Sequence, residues 1–214
     1  MGNKLQHHWT ILCEGPADKA FFKKLIRDRK LSNFNIIDAK GRCDFSEKLK
    51  ALRLLKQDAI LIVADNDNNP NQLFSEVQNQ IRISNRNGTG YPIPNKPMEV
   101  AKVDGQPVIM IMMIPWVDIP GCLETLLLPV LQREKKEIKI CVDNFLTCTE
   151  TAKWEIQKRD KTAIQCFIAG SNSDDPNKSL RYLLESENNP IPMNASEFDD
   201  IVNTLTNFET IVAD

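Results

Sequence analysis

The sequence predicts an α/β fold: a mostly parallel central sheet flanked by helices on both faces, followed by a helical C-terminal part. Three observations predict it. Short apolar runs rich in β-branched residues recur between residues 9 and 114, amphipathic helical patterns separate them, and after Pro120-Gly121 the strand signal stops.

Trp9–Cys13 (WTILC) reads as a buried first strand. Asp18–Arg29 follows as a helix, with Phe21, Phe22, Leu25 and Ile26 on one face. Asn35–Ala39 (NIIDA) is a weaker second strand, and Phe45–Leu55 a second helix with Leu49, Leu52 and Leu55 on its apolar face. Ala59–Ala64 (AILIVA) is the third strand, Leu73–Ile83 the third helix and Val108–Ile114 the fourth strand. Between these last two, Asn85–Pro107 contains GYPIPNKP and reads as a loop or irregular hairpin. Strands alternating with helices at this spacing imply right-handed crossovers. Helical patterns then cover Cys122–Leu131, Ile138–Thr147, Ala152–Ala169, Leu180–Glu185 and Glu197–Ile211. The expected organisation is an α/β core over residues 1–135 and a helical extension over 136–214 packed on the same domain.

With 42% hydrophobic and 26% charged residues, the 214-residue chain has ordinary globular composition, which excludes wholesale disorder, a collagen-like repeat and a disulfide miniprotein. The longest apolar stretch, Val108–Val117, is half a membrane span and contains a proline; the opening MGNKLQHHWT lacks the apolar core of a signal peptide. A soluble cytoplasmic protein is expected. The six cysteines form no CxxC pair and partly sit in apolar runs, so reduced, buried thiols are expected rather than a zinc site. His7 and His8 carry no assignable chemistry. The net charge of −2 hides an asymmetry: residues 1–56 carry 13 Lys/Arg against 6 Asp/Glu, and the remainder 14 against 23. A polyanion would approach the N-terminal part, where Lys19, Lys23, Lys24, Arg27, Arg29 and Lys30 make the first helix basic.

In open α/β sheets the functional crevice lies beyond the carboxyl ends of the strands. Here those ends are acidic. The first strand runs into Glu14-Gly15, with Asp18 four residues after Glu14; the third ends in Asp65-Asn66-Asp67; the fourth is followed by Asp118 and Glu124. Each has a plain structural reading: Asp18 and Glu124 as first-turn helix acids, Asp65 to Pro70 as a polar turn. Together, at three strand ends, they form a set of hard oxygen ligands that favours Mg²⁺ or Mn²⁺ over zinc. Carboxylates held close repel one another unless a cation sits among them.

The run Ile11-Leu12-Cys13-Glu14-Gly15-Pro16-Ala17-Asp18, with Phe21-Phe22 behind it, and Ile62-Val63-Ala64-Asp65-Asn66-Asp67 resemble the two signatures of the TOPRIM fold, a strand-terminal Glu-Gly and an Asp-x-Asp. Gly90 to Pro94, Pro120 to Leu127 (PGCLETLL) and Lys161-Thr162-Ala163 look like the stand-alone bacterial TOPRIM-related proteins close to the OLD-type nucleases. The resemblance covers residues 9–185 in order. It implies a divalent-metal-dependent nuclease acting on DNA, or on RNA, as an effector in phage defence or DNA repair. Two Mg²⁺ or Mn²⁺ ions are implied, one held by Glu14, Asp65 and Asp67, a second nearer Asp18 and Glu124, with Lys161 as the cation facing the scissile phosphate. Cys122 departs from the pattern, standing where an additional carboxylate is expected, and Asp118 is a candidate substitute. OLD proteins also carry an ATPase domain. Asn177-Lys178-Ser179 lacks the glycines of a phosphate loop, so ATP hydrolysis would have to come from a partner protein.

Two-metal hydrolysis needs no protein nucleophile. A topoisomerase would need a tyrosine, and the only ones are Tyr91, expected as a packed loop residue, and Tyr182. Two rivals stand beside the nuclease: a catalytically silent or partner-controlled nucleic-acid-binding subunit of the same fold, and a primase-like nucleotidyl transferase, whose metal chemistry is shared.

Overall fold

The computed structural model describes residues 9–31 and 34–213; His7 and His8 lie outside them. Five strands form one sheet: β1 (Trp9–Cys13), β2 (Asn35–Asp38), β3 (Ala59–Asp65), β4 (Val100–Ala101) and β5 (Val108–Ile114), in the order β2-β1-β3-β5-β4. All neighbours are parallel except β4, a two-residue strand antiparallel to β5 inside the expected loop. Among the described residues there are eight α-helices, α1 (Pro16–Arg29), α2 (Phe45–Arg53), α3 (Pro70–Arg86), α4 (Leu123–Glu134), α5 (Lys136–Cys148), α6 (Ile156–Ser171), α7 (Leu180–Glu185) and α8 (Asp199–Ala213), and three single-turn 3-10 helices at Arg42–Asp44, Thr151–Lys153 and Ser196–Phe198. The expected α/β class, with a mostly parallel sheet, flanking helices and a helical C-terminal part, is what the chain adopts.

Strand periodicity sorts the core into two layers. Ile11 and Cys13 of β1, Leu61 and Val63 of β3, and Met110, Met112 and Ile114 of β5 face α1, α4, α6, α7 and α8. Their alternates Leu12, Ile60, Ile62, Ala64, Ile109, Ile111 and Met113 face α2 and α3. Because the C-terminal helices share the first layer with α1, they bury a face of the sheet directly. Arg29 reinforces this, donating to the carbonyls of Met193 at 2.7 Å and Ala195 at 2.9 Å and to the Asp199 carboxylate at 2.7 Å.

Helix starts differ from the apolar periodicity for a local reason. Proline occupies the first turn of both α1 and α3, where its missing N–H costs no bond. Both helices therefore begin two or three residues before the first periodic position. At the end of α2 the expectation is corrected: the helix stops at Arg53, and Leu54 and Leu55 are exposed rather than part of its buried face. The cysteine expectation is also corrected. Cys13 and Cys122 are buried, but Cys43, Cys141 and Cys148 are exposed; all six are free. Among the described residues no helix is long and apolar enough to cross a membrane.

Candidate functional site

From β1 the chain turns through α1 to β2, on one side of β1; from β3 it passes through α3 towards β5, on the opposite side. The carboxyl ends of the adjacent strands β1 and β3 thus flank the topological switch point, where such sheets open a crevice. Glu14 follows β1 and Asp65 ends β3, with Cys13 and Val63 in register just before them.

The loop from β3 to α3 is fixed by Asn66, whose side chain is fully buried. Its Nδ2 donates to the carbonyls of Trp116 at 2.6 Å and Ile119 at 2.8 Å, and its backbone N–H to Ile114 at 2.8 Å. Asn66 Oδ1 has no hydrogen-bond partner among the described residues. Asp67 adopts a left-handed backbone (φ 44°) and accepts from Gly121 N–H at 2.7 Å. Gly121 has φ 136°, and a Cβ there would lie 2.5 Å from Thr125 Oγ1, so no other residue fits without displacement. These contacts set the start of α4 against the end of β3. The Leu123 N–H donates to Asp65 Oδ1 at 3.1 Å.

Asp18 is buried in the first turn of α1, where Oδ2 accepts from the Gly15 N–H at 2.8 Å; its structural reading as a helix-start acid holds. Burial pushes its pKa up to about 7, with Glu14 and Glu124 adding to the rise against the opposing Gly15 bond. Asp65 is raised well above the ordinary range by burial, then by Asp18, Glu14 and Glu124, with Lys161 acting in the opposite direction. Lys161, on α6, is exposed. Desolvation disfavours its charge, but the fields of Glu124, Asp65 and Asp67 outweigh this and raise its pKa. Burial, then Glu124 and Asp65, raise the Cys122 thiol far above its usual value, so it stays neutral.

Glu14, Asp18, Asp65, Asp67, Glu124 and Lys161 therefore share one electrostatic neighbourhood at the β1/β3 edge. Asp118 is exposed in the Trp116–Ile119 turn, and is not among the groups acting most strongly on Asp18 or Asp65. Tyr91 is buried and donates its hydroxyl to the Leu49 carbonyl at 2.9 Å, with burial pushing its pKa up to about 12; it is a packing residue. The basic face of α1 is largely paired internally: Lys19 with Asp38, Lys24 and Arg27 with Asp28, and Arg29 with Asp199.

The most intimate partner of the carboxylates is a residue outside the expected set. Arg42 donates from Nε and Nη2 to Glu14 Oε2 at 3.2 and 3.1 Å, and from Nη2 to Asp67 Oδ2 at 3.0 Å. The same nitrogen reaches the Asp65 carbonyl at 3.4 Å, and Nη1 reaches Glu76 Oε2 at 3.4 Å. Nothing local in the sequence marks Arg42, which sits in Lys40-Gly41-Arg42 after a weak strand. Only the pairing of β2 beside β1 brings it to Glu14.

Among the described residues, no group of three or more His, Cys, Asp or Glu side chains is arranged to hold a metal ion. Arg42 stands between Glu14 and Asp67, while one Asp65 oxygen accepts from α4. The donor set nevertheless fits a hard divalent cation in kind: it is all carboxylate, burial and neighbouring acids raise the pKa values of Asp18 and Asp65, and Glu14 and Asp67 already take a cationic guanidinium between them.

Fold and site define an α/β protein with an acidic cluster at the switch point of a parallel sheet. A family profile described as a protein of unknown function (DUF3226) matches residues 8–210, and the chain belongs to that family. Neither curated proteins nor solved structures give a match.

Proposed function

We propose that the protein is a divalent-metal-dependent nuclease of TOPRIM/OLD type that hydrolyses DNA phosphodiesters in the cytoplasm, in phage defence or DNA repair. The observation that carries this reading is the convergence of Glu14, Asp65, Asp67, Asp18 and Glu124 from three strand ends on the switch-point edge, with Lys161 in their field. Glu14, Asp65 and Asp67 would hold one Mg²⁺ or Mn²⁺ and Asp18 and Glu124 would lie nearer a second. Bound there, such ions supply an activated water and stabilise the leaving oxygen. Lys161 offsets negative charge on the phosphate being cleaved, an interaction that strengthens as charge develops. Asn66 and Gly121 keep the β3 and α4 ends in mutual register.

The test is incubation of purified protein with plasmid and single-stranded DNA in Mg²⁺ or Mn²⁺, with and without EDTA, alone and beside an ATPase partner. Metal-dependent cleavage is expected, with Glu14→Gln, Asp67→Asn and Lys161→Ala each removing most of it without unfolding the protein. Lys161→Ala should lower the chemical rate far more than metal affinity. Cleavage that survives Glu14→Gln would place the chemistry elsewhere.

One observation favours a second reading, a partner-controlled nucleic-acid-binding subunit of the same fold: Arg42 already neutralises Glu14 and Asp67. Metal binding with no turnover on any nucleic acid, even beside the partner, would select it.

A further inference from the structure

Arg42 is 13% exposed at its side chain, the most enclosed member of a group in which Glu14 is 26%, Asp67 32% and Glu76 47% exposed. Its backbone is hooked to the end of β1: Ala39 N–H donates to the Cys13 carbonyl at 2.9 Å and Gly41 N–H to the Glu14 carbonyl at 3.0 Å. Gly41, at φ 137°, allows the turn that makes the second of these bonds. The Cα of Arg42 is thus held beside the cluster, while its long side chain keeps its rotatable bonds.

The guanidinium is permanently charged, so no change of pH within the ordinary range withdraws it from the carboxylates. Only a competing cation or a competing anion can. The surroundings of Arg42 offer a place for the first and supply the second. Glu14 and Asp67, which Arg42 bridges, are the carboxylates a divalent ion would claim. Glu76 of α3, the outermost and most exposed of its partners, is steadied by Gln72 Nε2 at 3.0 Å and already touches Nη1.

We infer that Arg42 is a tethered cation that holds Glu14 and Asp67 together in the metal-free protein and gives way to a divalent ion by moving its contacts outwards to Glu76. This rests on the metal-site reading proposed above. It adds to that reading a resident competitor, which sets the metal affinity of the site, and an acceptor for the competitor once displaced. Arg42 in this role is a positioning residue. It keeps two like charges side by side before the ion arrives, and its removal makes the carboxylates more available at the cost of metal-free stability.

The role predicts effects of opposite sign for two neighbouring substitutions. Arg42→Gln removes the competitor and should tighten Mn²⁺ binding about tenfold, the scale of one charge-assisted hydrogen bond. Glu76→Gln removes the acceptor for the displaced guanidinium and should weaken Mn²⁺ binding several-fold. A residue that merely braces the loop would move both in the same direction.

The experiment measures Mn²⁺ affinity of the full chain by electron paramagnetic resonance of the free ion and melting temperature in EDTA and in saturating Mn²⁺. It compares wild type, Arg42→Gln, Arg42→Lys, Glu76→Gln and Asp67→Asn. Expected results are tighter Mn²⁺ binding and a lower EDTA melting temperature for Arg42→Gln, and weaker binding for Glu76→Gln. If Arg42→Gln is unfolded in EDTA and refolds on adding Mn²⁺, the inference is supported. If it does not fold in either condition, the exposed Glu76→Gln variant decides, and unchanged or tighter binding there overturns the inference. Wild-type binding lost in Asp67→Asn but unchanged or weakened in Arg42→Gln overturns the role of Arg42 and leaves the metal site standing. No Mn²⁺ binding by wild type or by Arg42→Gln overturns both.

Discussion

The Asp65 carboxylate accepts a hydrogen bond from the backbone N–H of Leu123 at 3.1 Å, coupling the end of β3 to the first turn of α4. One candidate ligand therefore also closes a helix N-terminus, and its two roles separate by substitution. Asp65→Asn keeps an acceptor for Leu123 but removes a charge that burial and three neighbouring acids disfavour. In EDTA at pH 8, Asp65→Asn should melt above wild type; in Mn²⁺ the wild type should gain and the variant should not. Asp65→Ala also strands the N–H, costing about 1–3 kcal/mol, and should melt below Asp65→Asn in EDTA. Differential scanning calorimetry checks the order. An Asp65→Asn protein less stable than wild type in EDTA would show that the cluster is not self-repelling.

The pH dependence of stability has a definite sign. Asp18 is raised to about 7 in the folded chain from an unfolded value near 3.8, so the native state holds its proton more tightly. The corresponding stability is fully present below pH about 4 and is lost as pH rises through about 7. Asp65, also raised, acts in the same direction. In EDTA the melting temperature should include a component that falls between pH 5 and pH 8, and Asp18→Asn should flatten it. Saturating Mn²⁺ should reduce the slope in the wild type by favouring the ionised carboxylates. A wild-type slope that Asp18→Asn leaves intact would remove Asp18 from this role.

Asn66 connects the site to the scaffold. Removing its amide in Asn66→Ala leaves the carbonyls of Trp116 and Ile119 without their donor, at a cost of about 2–3 kcal/mol. Urea unfolding should show this as a lower midpoint with an unchanged slope. Asn66→Asp should be worse, because a carboxylate would then face those same carbonyl oxygens.

Gly121→Ala tests the close approach at the start of α4. The added Cβ meets Thr125 Oγ1 at 2.5 Å and Thr125 Cβ at 2.8 Å, at a φ of 136° that disfavours any side chain. The strained backbone alone should cost about 1–3 kcal/mol, and each kcal/mol lowers the melting temperature by about 2–4 °C at this chain length. The Mn²⁺-dependent shift should shrink as well, since Glu124 is carried on the displaced helix. A Gly121→Ala protein with wild-type melting would show that Thr125 relaxes freely.

Strands β1, β3 and β5 were legible because each is an apolar run buried on both faces, a signal that needs no partner to be read. The acids after β1 and β3 were legible for the same reason, as abrupt breaks in those runs. Other features depend on pairings distant in sequence. The two-residue strand β4 carries no pattern of its own and exists by its bonds to β5. Cys43, Cys141 and Cys148 face solvent through turns and helix rotations that local composition does not reveal.

The sequence by itself determined the α/β class, the order of elements and which carboxylates stand at strand ends, because burial and backbone periodicity are local properties of the chain. Tertiary structure decided the electrostatics of the cluster. The β2-β1-β3 order set Arg42 of the β2 loop beside Glu14, and the fold of the β5–α4 turn gave Asp65 the N–H of Leu123. The physical reason is range: an apolar run declares its burial residue by residue, whereas a charge acquires its partner only when the sheet brings separated segments within a few ångströms.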